Sequence, residues 1–119
     1  MRREITTELF KWKNDFDKKV LIVTGARQVG KTYIIREFAK EYYTNLVEIN
    51  LLNSKDARNI FKGNLILKDM IAQISLLNNG AKIEKGKTLI FFDEIQASPD
   101  AIVALKILGD QSGYDVIAS

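Results

Sequence analysis

Apolar residues along the chain follow two spacings in turn. Ile5, Leu9, Trp12 and Phe16 recur every three or four positions, which puts them on one face of a leading helix. Residues 14–19 form a polar break. Residues 20–24, VLIVT, are a short apolar run whose length and β-branching predict a strand buried on both faces. A loop over residues 25–30 precedes a helix from Lys31 to about Tyr43, with Ile34, Ile35, Phe38, Ala39 and Tyr42 as its inward stripe. Residues 46–50, LVEIN, read as a second strand, and the polar stretch 53–63 predicts a short helix ending at Gly63. Leu67, Met70, Ile71, Ile74 and Leu77 have helical spacing, and Asn78-Asn79-Gly80 stops that helix. After a solvated turn over residues 82–87, Thr88 to Asp93 (TLIFFD) gives the clearest strand pattern in the chain. Ser98-Pro99-Asp100 opens a helix with a capping residue, a proline at the first position and an acid in the first turn. That helix is expected to reach Leu108 and close at Gly109, before a fourth strand over residues 114–118.

Strands alternating with helices imply an α/β fold, with a parallel sheet covered on both faces. Ligands of such sheets bind at the carboxyl ends of the strands. The length, 119 residues, suits one compact domain. The chain has no cysteine and no histidine, which excludes disulfides, thiol chemistry, Ser-His triads and His-ligated zinc. The net charge of +3 is a mild excess, spread along the chain among acids, and does not point to direct nucleic-acid binding. No apolar run approaches the roughly 18–20 residues that span a membrane, and the charged start lacks a secretory apolar core. The expected location is the cytoplasm.

Gly25-Ala26-Arg27-Gln28-Val29-Gly30-Lys31-Thr32 fits G-x-x-x-x-G-K-[ST] at every fixed position. An apolar strand precedes it and an amphipathic helix follows, as a phosphate-binding loop requires. The glycines allow close backbone approach, and successive N–H groups turn inward as an anion nest. The helix beginning near Lys31 aims its positive end at the same place. Lys31 is expected to bridge the β- and γ-phosphates and Thr32 to ligate Mg²⁺. The bland alternative is a glycine turn beside a solvated lysine.

The second motif is the apolar strand ending in Asp93-Glu94. Asp93 is expected in the Mg²⁺ shell and Glu94 as general base for the attacking water. Its bland alternative is a pair of acids serving the helix that starts at Ser98. Two carboxylates favour nucleotide hydrolysis over simple phosphate binding. No N-K-x-D guanine-reading motif follows this strand, so ATP is the expected nucleotide. Gln96 could contact the γ-phosphate or a moving partner, and equally could be a plain surface glutamine. Arg27 reads as solvent-facing, Tyr42 and Tyr43 as packing, and Ser119 as a polar strand end able to sense the γ-phosphate.

With both motifs in place, the chain resembles the ATPase domain of bacterial and archaeal AAA-superfamily ATP-binding proteins that carry a further domain after the ATPase. GARQVGKT and LIFFDEIQASP carry the resemblance, with ALKILGD and YDVIAS in support. It implies a P-loop NTPase: a three-layer α/β/α fold with a parallel sheet of order 5-1-4-3-2, in which the fourth strand inserts between the first and third. It makes Lys31 and Thr32 the Walker A pair, Asp93 and Glu94 the Walker B pair, and Ser119 the sensor-one strand end. On this reading residues 1–19 are a leading helix and turn. Residues 20–119 are a nucleotide-binding core truncated after its fourth strand, an N-terminal portion without its fifth strand, arginine finger or C-terminal domain. The first strand would then have a bare edge open to self-association. The implied activity is Mg²⁺-dependent ATP binding and hydrolysis, the arginine finger coming from a neighbour. The alternatives are a regulatory nucleotide switch with little hydrolysis, a nucleotide kinase and a nucleic-acid-binding module.

Overall fold

The computed structural model describes residues 2–15, 18–23, 30–110 and 113–119. The order is α1 (Arg2–Lys13), β1 (Leu21–Ile22), α2 (Lys31–Tyr42), β2 (Asn45–Asn50), α3 (Lys55–Asn59), α4 (Leu67–Leu77), β3 (Thr88–Asp93), α5 (Pro99–Leu105) and β4 (Asp115–Ala118). All strand pairs are parallel and the sheet order is β1-β4-β3-β2. The last strand therefore lies between the first and the third, as the resemblance implied.

Alternation along the strands sends side chains to two separate cores. Leu89, Phe91 and Ile117 face one side and pack with Leu9 and Trp12 of α1 and Ile35, Phe38 and Ala39 of α2. Val47, Ile49, Ile90, Phe92, Val116 and Ala118 face the other, against α3, α4, α5 and their flanking residues. The result is three layers, helices over both faces of a parallel sheet.

Three expectations are revised. The strand expected over residues 20–24 has Leu21–Ile22 as its described extent, and Ile22 is 52% exposed. It is not buried on both faces because β1 is an edge strand, paired to β4 alone among the described residues; Thr24 lies outside those residues. At the end of α2 the buried tyrosine is Tyr43, just past the helix, and not Tyr42. Tyr42 instead stays near the surface, tilted against Phe10 and Phe38. Finally, α5 ends at Leu105 and continues as one π-type turn, Lys106–Asp110, past the expected stop at Gly109. Phe16 of the predicted leading-helix stripe lies outside the described residues.

Candidate nucleotide site

The direction of α2 decides what meets what. Its C-terminal neighbour Tyr43 donates its hydroxyl to Asp115 Oδ2 (2.5 Å), at the amino end of β4. Seven residues earlier, Arg36 forks onto Glu48 in β2, with Nε and Nη2 at 2.8 and 2.9 Å from the carboxylate oxygens. The helix thus runs antiparallel to the strands. From Tyr43 back to Thr32 it rises about 16 Å, and β4 covers about 13 Å from Asp115 to Ser119. Lys31 and Thr32 therefore lie at the carboxyl ends of the strands, on the face that also carries Asp93.

At that end the strands finish level. Ile22 and Phe92 both pair with Ala118, and Asn50 pairs with Asp93. Val23 N–H donates to Ala118 O, Ser119 N–H to Phe92 O, and Leu51 N–H to Asp93 O, all at 2.9–3.0 Å. One further step along each strand brings Val23, Ser119 and Asp93 side by side. At the usual spacing between strands, β1 and β3 are about 10 Å apart, with β4 between. Residues that are far apart in the sequence are brought together by this register.

The start of α2 has no side-chain cap and no acid in its first turn, and Gly30 precedes it with φ 118°. Ser54 and Ser98 cap α3 and α5 with their own hydroxyls, whereas α4, like α2, starts without a side-chain cap. The helix dipole favours an anion at the start of α2. Gly25, Ala26, Arg27, Gln28 and Val29, the rest of the predicted phosphate loop, lie outside the described residues.

Asp93 closes β3, half-buried. Burial, and then the adjacent Glu94 charge, push its carboxyl above the usual carboxylate range. A hydrogen bond from the Glu94 main chain and the Arg36 guanidinium pull in the opposite direction. Glu94 then leaves the sheet with φ 58° and ψ 49°, a left-handed conformation that β-carbon sterics disfavour. It opens a 3₁₀ turn, Ile95–Ala97, whose Ile95 N–H donates to Ser119 O at 2.9 Å. The acids do not cap the next helix: Ser98 Oγ accepts the Ala101 N–H at 3.1 Å and fills that role itself. Gln96, an exposed residue, donates its amide to Glu94 Oε2 at 2.8 Å.

Residues 17–119 match a family described as "AAA domain". The chain belongs to the AAA domain family. This AAA domain is 31% identical over 124 residues to the replication factor C large subunit of Sulfolobus acidocaldarius, an alignment taking in 96% of this chain and 26% of that protein. The chain thus spans about a quarter of the length of that curated relative. No solved structure is significantly similar to it. AAA membership makes this a nucleotide-binding domain of the ATPase type. No helix among the described residues is long and apolar enough to cross a membrane.

The sequence pattern singles out neither Arg36 nor Glu48. The only signal for Arg36 is its place four residues after Thr32, on the same face of the AAA domain's α2. Among the described residues no group of three or more acids could by itself hold a metal ion. The two expected donors, Thr32 and Asp93, supply one hydroxyl and one carboxylate, with Glu94 and Ser119 beside Asp93. That is the pattern of a Mg²⁺ ion held by one or two protein oxygens and completed by phosphate and water. The donor set fits that ion. A cavity of about 240 Å³ between α1 and α2, lined by Thr6, Tyr33 and Glu37 among others, includes none of these residues.

Proposed function

We propose that this AAA domain binds Mg²⁺-ATP at the carboxyl ends of β1, β4 and β3 and that its protein hydrolyses it. The observation that supports the reading is that α2 runs antiparallel to the strands, so that its start and the Asp93-Glu94 strand end lie at the same end of the sheet. In this reading residues 25–30 bind the phosphates, and the Lys31 ammonium binds the β- and γ-phosphates. Thr32 and Asp93 hold the ion. Mg²⁺, when bound, offsets charge on the phosphoryl group in transfer. Glu94 takes a proton from water as the water oxygen bonds to the γ-phosphorus. The bond from that phosphorus to the bridging oxygen breaks, leaving ADP and inorganic phosphate. In this reading Ser119, beside Asp93, senses the γ-phosphate. The open edge of β1 supports self-association as a further property of the domain.

Titration calorimetry with a non-hydrolysable ATP analogue tests the reading. Binding is expected to require Mg²⁺ for full affinity and to weaken at least tenfold in Lys31→Ala. A folded wild-type chain that binds no nucleotide overturns it.

A further inference from the structure

We infer that Gln96 is a positioning residue for Glu94, an inference that rests on the reading of Glu94 as the general base. Gln96 is exposed and packs into neither core, so no burial requirement accounts for a glutamine there. Its Nε2 donates to Glu94 Oε2 at 2.8 Å, within ordinary hydrogen-bond geometry. The two side chains are separated by a single residue, and the bond between them spans a backbone turn. Glu94 is left-handed, and the 3₁₀ turn after it brings Ala97 N–H onto Glu94 O at 3.0 Å. Ile95 N–H on Ser119 O anchors the same turn to the central strand β4. Of the described non-glycine residues only Asn79 and Glu94 have positive φ, and Asn tolerates that region better than Glu. A disfavoured backbone held at the proposed base is expected where local geometry serves the chemistry.

The chemistry suits the partner. A base must hold its receiving oxygen within hydrogen-bond reach of the water, and a free glutamate side chain samples many rotamers. A donor on one oxygen limits the rotation of the carboxylate. An amide does this without a charge, so it neither neutralises the carboxylate nor repels a nearby cation, as lysine or arginine in its place would. Gln96 therefore acts through Glu94 and need not touch the nucleotide.

The test is a double-mutant cycle on the full chain: wild type, Gln96→Ala, Glu94→Gln and the pair. Single-turnover hydrolysis of Mg²⁺-ATP is read beside calorimetric affinity for a non-hydrolysable analogue and the thermal midpoint. Gln96→Ala is expected to slow turnover about tenfold, with affinity and midpoint unchanged. In the Glu94→Gln background it should change nothing further. Gln96→Glu, of similar size without the amide donor, should be at least as slow. If Gln96→Ala matches wild type while Glu94→Gln is slow, the inference fails and the base reading stands. Equal slowing by Gln96→Ala in both backgrounds, or a loss of affinity, would reveal a merely structural role and overturn it. A Glu94→Gln chain as fast as wild type removes the base reading and this inference together, as does a wild-type chain that binds the analogue but never turns over.

Discussion

At Gly109 the surroundings leave room for a hydrogen atom and nothing larger. A β-carbon there would stand 1.9 Å from Val20 Cγ2 and 3.1 Å from Val20 Cβ. Val20 is β-branched and stiff about its first torsion, so it cannot swing aside cheaply. Gly109→Ala is expected to destabilise the fold by about 1–3 kcal/mol, read as a lower urea midpoint. Tyr43 carries a different load. It is buried, and its hydroxyl donates to Asp115, a carboxylate only 3% exposed. Lys18 Nζ approaches the other oxygen of Asp115 at 3.5 Å. Tyr43→Phe removes the shorter contact and should cost about 1.5–3 kcal/mol, the range for a hydrogen bond to a charged group. Burial, and then that hydrogen bond, raise the Tyr43 phenol far above its ordinary value. The folded state thus holds a proton that the unfolded chain releases near pH 10. The wild-type advantage over Tyr43→Phe should therefore be full below about pH 10 and shrink as pH rises beyond it, measured by urea unfolding across that range. At Glu94, Glu94→Gln should slow hydrolysis by about a hundredfold or more, with analogue affinity kept.

At the scale of elements, α1 is structural even though the family match begins at residue 17. Leu9 is fully buried and Trp12 nearly so, both against α2 and the sheet, and Trp12 Nε1 donates to Lys19 O at 2.6 Å. Leu9→Ala should cost about 2–5 kcal/mol, and chemical denaturation checks it. The helix that opens the proposed nucleotide site is thereby braced from behind. The contrast among helix starts carries a second expectation. Ser98 caps α5 with its own hydroxyl, so Ser98→Ala should lose about 1 kcal/mol. At α2 no such side chain is present to lose, and bound nucleotide should raise the thermal midpoint instead. These starts were legible in the sequence because caps are local: Ser98-Pro99-Asp100 carries its own signal. The choice of Tyr43 over Tyr42 was not. Both fit the helix period within one position, and the distant Asp115 decides which of them turns inward.

For the whole molecule, the sheet order puts β1 at an edge, with Ile22 52% exposed. Among the described residues β1 pairs with β4 alone, and an apolar edge of this kind invites another strand. Self-association is expected to grow with concentration in sedimentation and to fall in Ile22→Lys; a monodisperse monomer throughout the series would refute it. The sequence by itself determined the element types, the parallel α/β class and the two motifs, because hydrophobic period, caps and the G-x-x-x-x-G-K-T spelling are properties of contiguous residues. The inward face of β3 was readable for the same reason, as was that of α4 apart from Leu77, which is exposed at the helix end. The tertiary structure alone decided the Arg36–Glu48 fork beside Asp93, the buried Tyr43–Asp115 pair and the left-handed Glu94 bonded to Gln96. The two long-range pairs join residues 12 and 72 positions apart. No local pattern encodes them, because they exist only once α2 lies antiparallel to strands in the order β1-β4-β3-β2. The Glu94–Gln96 contact is short in sequence, yet it too depends on the global fold: the turn that makes it is anchored to the end of β4.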